Sequence, residues 1–190
     1  MVARITVGSG DPGGQFDLRR ARPLTDLTSA AVPTIADDDH VRGVGPEVIL
    51  YVDLGCPHCA ATWRAIAVHE LHLCVRHFPI AGKHKRAAAL HAAAESAAAQ
   101  REDAFWQMVD AIYADHGRQD DPHLWQRAAE LELDLERFEA DRRSQAVADR
   151  VRRDFESGIR AGIGATPAAF AEGRMLSGSV GEALATIARD

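Results

Sequence analysis

Cys56-Pro57-His58-Cys59 sets two reactive side chains at a spacing that redox chemistry uses. Two thiols separated by two residues can close into a disulfide and reopen. A strand-to-helix junction is where one of them can become unusually acidic. An apolar run, Val48-Ile49-Leu50-Tyr51-Val52, leads into the motif, and a helix-like pattern follows it. Pro57 suits the first helical position, where a missing N–H costs nothing, and this makes Cys56 the N-cap. Cys59, Trp63 and Ile66 then fall on one helical face. The spacing predicts an exposed Cys56 at the helix start and an inward Cys59, so that one sulfur attacks and the other waits. The helix N-terminus favours a thiolate at Cys56, and His58 adds a donor beside it.

The elements that must hold this motif can be read from the flanking pattern. A strand over 48–53, a helix from 57 and a strand over 71–78 form a strand–helix–strand unit whose two strands should be parallel. Mostly helical sequence follows at 85–100, 103–115, 122–131, 134–142 and 145–161, with breaks at Gly117 and Pro122 and a possible cap at Asp134. A weak strand at 168–171, a tight turn at Glu172-Gly173, a strand at 174–177 and a helix over 180–189 capped by Ser179 close the chain. Residues 1–36 are rich in Gly, Pro, Asp and Thr and read as a poorly ordered extension, with Ala3–Val7 able to add an edge strand. Asp37-Asp38-Asp39 reads as a solvated lead-in to a domain covering 37–190.

Composition removes several function classes. At 190 residues and a net charge of −6, with both signs interleaved, the chain offers no electrostatic footprint for nucleic acid. Arg142-Arg143 and Arg152-Arg153 are expected on a solvated helical face. No apolar run approaches about 18 residues, so no membrane insertion is expected. The first ten residues lack an apolar signal core, which points to a cytoplasmic setting. There a CxxC is catalytic or metal-binding rather than a structural staple. Structural zinc takes four ligands, and the remaining cysteine, Cys74, lies in a predicted strand and reads as a buried small hydrophobe. No metal and no cofactor are expected. The nine histidines, including His69, His72, His84 and His91, read as surface or packing residues. His77 reads as strand-end packing, and Trp63, Phe105 and Trp106 as core.

Together these features resemble the DsbA-like thioredoxin family, an α/β thioredoxin fold (βαβ…ββα) with a helical insertion, here about 85–161, between its halves. The resemblance is carried by Cys56-Pro57-His58-Cys59, Asp53, Arg76-His77-Phe78-Pro79, Phe105-Trp106 and Gly164-Ala165-Thr166-Pro167. It is strongest to a bacterial branch of stand-alone proteins and of domains fused to sodium/proton antiporters, in which Asp39–Gly43 resembles the lead-in. The resemblance implies a cis Thr166–Pro167 bond in a loop lying against the CxxC, where it pairs with a bound substrate strand. It also implies a buried carboxylate six residues before the first cysteine, and here that position is Leu50. The proton relay it would serve is therefore absent or replaced, by water or by Asp53, and proton transfer at Cys59 is expected to be slow. Ala168-Ala169-Phe170 stands where the family is aromatic-rich, which implies a more open groove.

The expected function is thiol–disulfide oxidoreductase, with catalytic Cys56, Cys59, His58 and Pro57 and substrate-binding Thr166 and Pro167. The partners would be thiol- or disulfide-bearing proteins or peptides and a recycling redox partner. The alternatives are a non-catalytic peptide-binding module and a low-molecular-weight-thiol-dependent transferase or isomerase. Retention of both cysteines argues against each of them.

Overall fold

The computed structural model describes residues 31–176 and 178–189. The proposed strand at Ala3–Val7 and most of the N-terminal extension lie outside the described residues. Five strands, β1 (His40–Arg42), β2 (Glu47–Val52), β3 (His72–His77), β4 (Ala168–Ala171) and β5 (Arg174–Met175), form one sheet in the order β1-β3-β2-β4-β5. β2 and β3 are parallel, and every other pair is antiparallel. Seven helices accompany them: α1 (Pro57–Ile66), α2 (Ala87–Ala98), α3 (Glu102–Ala114), α4 (Asp121–Glu130), α5 (Leu135–Asp141), α6 (Gln145–Arg160) and α7 (Val180–Ile187). This is the α/β thioredoxin arrangement, with α2–α6 inserted between the βαβ and ββα halves.

The two faces of the sheet build two cores. Val48, Leu50 and Val52 alternate with Ile49 and Tyr51, so the period of two sends each set to an opposite face. The first set packs with Leu73, Val75, Cys59, Trp63 and residues of α2 and α3. The second meets Cys74, Phe78, Phe170 and Phe155, the last from α6. Leu50 stands opposite Val75 on one side and Ala169 on the other, so both of its cross-strand neighbours are apolar.

Local signals account for the element boundaries. Asp120, Asp134, Ser144 and Ser179 each accept the backbone N–H three residues on, capping α4, α5, α6 and α7. Glu172 and Gly173 have φ of 52° and 71°, the doubly left-handed geometry of a two-residue hairpin turn, and join β4 to β5. At Gly43 a side chain would run into the Leu71 carbonyl, so the connection after β1 needs glycine.

Several sequence expectations are corrected. β1 was not predicted, because three residues carry no periodicity; it is defined by pairing with β3. Asp39 is not solvated: its side chain is 2% exposed and pairs with Arg76 at 2.6 Å. The same Arg76 donates to the Thr34 carbonyl, and Ile35 packs on the second core, so contacts with the body begin before residue 37. Arg142 is half-buried, held by Glu139 and Asp121, while Arg143, Arg152 and Arg153 remain on the surface.

Candidate active site

β2 ends at Val52, and Asp53-Leu54-Gly55 turns the chain into α1. The turn is held by its own backbone, with the Cys56 N–H donating to the Asp53 carbonyl at 2.9 Å. The Asp53 carboxylate fastens it further: Oδ1 accepts from Gly55 N–H at 2.8 Å and Oδ2 from Ile80 N–H at 2.7 Å. Cys56 is the N-cap of α1 in extended geometry and Pro57 opens the helix. The structure thus places Cys56, Pro57, His58 and Cys59 in one helical turn, with Pro57 and His58 exposed.

Cys56 is not exposed as the spacing predicted. It is 4% exposed, because the loop carrying the cis Thr166–Pro167 bond covers it. Its sulfur lies 3.7 Å from the Thr166 carbonyl oxygen. The Thr166 hydroxyl is buried with no hydrogen-bond partner among the described residues. Thr166 and Pro167 are therefore brought to the cysteines from 110 residues away.

The two thiols have opposite electrostatics. Cys56 is lowered to about 4, chiefly by a hydrogen bond from the Cys59 thiol and then, against the cost of burial, by the Cys59 and His58 backbone amides and by Thr166. The two amides are unpaired N–H groups of a helix start. Cys59 is pushed far up, first by burial and then by its bond to Cys56. The Asp53 N–H reaches the Cys59 sulfur at 3.4 Å. Both cysteines are free thiols. Cys74 packs with Ile49 and Tyr51 in the second core while Cys56 and Cys59 belong to the first, so the three cysteines do not share a site.

Beneath the turn lies a polar cluster that the sequence did not reveal. His91 Nε2 accepts from Leu54 N–H at 3.1 Å and lies 3.7 Å from Asp53 Oδ1. Its Nδ1 meets His77 Nδ1 at 2.5 Å, and His77 Nε2 meets Glu95 Oε1 at 2.5 Å. His40 Nε2 reaches the same oxygen at 2.8 Å and its Nδ1 reaches Glu102 at 2.8 Å. His77 and His91, read from the sequence as packing residues, are thus hydrogen-bonded interior groups. Spacing could not show this, because His40, His77 and Glu95 come from β1, β3 and α2. The weak signal available was a histidine and a glutamate one turn apart in an otherwise alanine-rich helix.

His40, His77 and Glu95 have the residue types of a metal site, with donor atoms within 4.8 Å of one another. Their spacing fits hydrogen bonds instead. An ion about 2.0–2.1 Å from each of three tetrahedral ligands would hold them about 3.3 Å apart. Arg150 Nε also stands 3.6 Å from the shared Glu95 oxygen, where it opposes a second cation.

Residues 47–185 match the DSBA-like thioredoxin domain. Among curated proteins the chain is similar to the Na(+)/H(+) antiporter NhaA of Herminiimonas arsenicoxydans, 39% identical over 173 residues, covering 85% of this chain and 27% of that one. It is also similar to Na(+)/H(+) antiporter NhaA 3 of Salinispora tropica, 33% identical over 168 residues, covering 82% and 26%. The chain therefore spans about a quarter of the length of these relatives. Among solved structures, α-DsbA1 of Wolbachia pipientis superposes with a TM-score of 0.67 at 17% identity, covering 85% of this chain and 96% of that one. DsbA2 of Pseudomonas aeruginosa does so at 0.62 and 24%, covering 83% and 96%. No helix among the described residues is long and apolar enough to cross a membrane. With the βαβ and ββα halves, the helical insertion and the matched span in agreement, the chain belongs to the DSBA-like thioredoxin domain family.

Proposed function

We propose that this chain is a thiol–disulfide oxidoreductase acting through Cys56 and Cys59 on thiol- or disulfide-bearing protein or peptide substrates, and that a separate redox partner recycles it. The observation that carries this reading is the inequality of the two sulfurs within one helical turn. A thiol lowered to about 4 is a thiolate at neutral pH, and its partner remains protonated beneath it.

In the oxidising direction a substrate thiolate attacks the Cys56 sulfur of the Cys56–Cys59 disulfide, and Cys59 leaves as a thiolate that takes up a proton. A second substrate thiolate then attacks the substrate sulfur of the mixed disulfide and expels Cys56. Two electrons pass from the substrate thiols to the enzyme disulfide, and the substrate leaves oxidised. Stabilising the Cys56 thiolate favours the reduced form and makes the disulfide a good oxidant. In the reducing direction Cys56 attacks a substrate disulfide and Cys59 resolves the adduct. Thr166 and Pro167, which cover Cys56, are the groups a bound substrate strand would meet. The similarity of the fold to the Wolbachia and Pseudomonas DsbA proteins supports the same reading.

Coupled insulin reduction and oxidation of a dithiol peptide test it. Wild type should turn over in at least one assay and Cys56→Ser in neither. Absence of cysteine-dependent turnover in both would favour a binding module.

A further inference from the structure

Closing the Cys56–Cys59 disulfide requires Cys59 to lose a proton in a site with almost no solvent contact. Cys59 is 1% exposed, and Leu50, which faces the same core, offers no acid or base. We propose that the buried chain His91–His77–Glu95–His40 is the proton path of Cys59, running from the turn at Asp53 to solvent at Glu102; this rests on the exchange reaction proposed above.

From His91 to Glu102 the path is an unbroken hydrogen-bonded chain with one open end. From Asp53, whose amide touches the Cys59 sulfur, the carboxylate is 3.7 Å from His91, and every later link is 2.5–2.8 Å. The terminal Glu102 side chain is 68% exposed. Its interior is lined by an aromatic ring: Phe105 stacks on the His40 ring at 3.6 Å between centroids and meets His77 edge-on. The charged and titratable groups that face it are Arg150 and Asp154 of α6, with Arg150 beside Glu95 and Asp154 accepting the His77 backbone N–H, and Tyr113 of α3, which donates to the Asp53 carbonyl. Asp39 and Arg76 pair with each other at the β1 end and leave Glu95 to the two imidazoles and Arg150.

The hydrogen bonds also set a polarity. The Leu54 N–H occupies His91 Nε2, so the His91 proton is on Nδ1 and points to His77. His77 Nδ1 is then the acceptor, and its own proton, on Nε2, points to Glu95. His40, raised to about 9 because two carboxylates outweigh its burial, donates from both ring nitrogens. Every imidazole donor from His91 onward therefore points towards Glu95 or Glu102. As Cys59 ionises, the Asp53 carboxylate carries its proton to His91, closing the 3.7 Å gap to Nε2 in place of the Leu54 N–H, and His91 passes its Nδ1 proton to His77. His77 passes its Nε2 proton to Glu95, and His40 releases one to Glu102 and solvent. One proton leaves Cys59 and one reaches solvent. The His40–Glu95 pair goes from ion pair to neutral pair, so its summed charge is zero throughout. Reduction of the disulfide runs the sequence backwards and restores the pair.

Rapid mixing with one equivalent of 5,5′-dithiobis(2-nitrobenzoate) separates the steps. Cys56 attack releases one coloured thiolate. Cys59 then displaces the second from Cys56, losing its proton as it does so. Glutamine keeps hydrogen bonds at positions 77 and 95 but has no titratable proton to pass on. His77→Gln and Glu95→Gln should therefore slow the second release by about a hundredfold at neutral pH, the low end for general acid–base catalysis, and the gap should narrow as the pH rises. In wild type the second release should be slower in D2O than in H2O. Second-phase rates and pH profiles equal to wild type in whichever variant folds overturn the path, as does a wild-type second phase with equal rates in the two solvents. Loss of the first phase in wild type overturns the exchange reaction itself.

Discussion

The Cys56 sulfur lies 3.7 Å from the carbonyl oxygen of Thr166, the residue that precedes the cis proline. One contact thus joins the start of α1 to the loop that leads into β4. It explains why a cysteine at a helix mouth is buried: the proposed nucleophile is covered by the loop proposed to receive its substrate.

Because Cys56 is lowered to about 4, its alkylation by iodoacetamide should rise through that pH and be flat across the neutral range. An ordinary cysteine would instead rise through about 8.5. Cys59→Ser, which keeps a hydroxyl donor, should preserve this profile, and Cys56→Ser should abolish the fast reaction. A profile rising at alkaline pH would contradict the helix-start thiolate.

His58→Pro should make the couple more reducing. The His58 amide is one of the donors that lower Cys56, and proline has no N–H to offer. Losing a hydrogen bond to a charged group, about 1.5–3 kcal/mol, corresponds to roughly 30–60 mV for a two-electron couple. Glutathione equilibration measures the shift directly.

Leu50→Glu puts a carboxylate among Val75, Ala169 and the first core. Burying it should cost at least about 1–3 kcal/mol of stability, read from urea midpoints, and should offer Cys59 a second proton acceptor. The pH profile of enzyme reduction should therefore differ from wild type. Identical profiles would show that the acid missing at this position does not limit the rate.

His40 gives stability a slope on the alkaline side. Its folded value of about 9 lies above its ordinary 6.5: burial pulls it down, but Glu95 and Glu102 together pull it up further. Between those two pH values the folded chain binds more protons than the unfolded one, so this contribution is complete below about 6.5 and is lost as the pH passes 9. Urea midpoints of the reduced protein should fall across that window, and His40→Gln should flatten the fall.

Arg76→Ala should release residues 34–39 from the body. Arg76 holds the Thr34 carbonyl, Asp39 and the Tyr51 hydroxyl, and Asp39 is left buried without its main partner. The expected loss is about 3–5 kcal/mol, as for other broken buried ion pairs. Limited proteolysis should cleave first in this segment.

Local chemistry made much of this legible in the chain itself. The Cys56 N-cap, Pro57 at the first helical position, the caps at Asp134 and Ser179 and the Glu172-Gly173 turn are each decided within a few residues. So is the alternation of Val48–Val52, and these signals are sufficient to lay out βαβ, a helical block and ββα. They also put Cys59 on the inward face with Trp63 and Ile66.

What escaped that reading depends on partners far along the chain. Asp39 looks solvated until Arg76 is beside it, and Cys56 looks exposed until Thr166 covers it. Three histidines and a glutamate look scattered until β1, β3 and α2 meet. A hydrogen bond between residues 14–62 positions apart carries no periodicity, so the amino-acid order alone determined the two-thiol motif and its helix. Only the tertiary packing, of the Thr166–Pro167 loop over α1 and of the insertion on the sheet, decided how the sulfurs are covered and which buried groups lie near the turn beneath them.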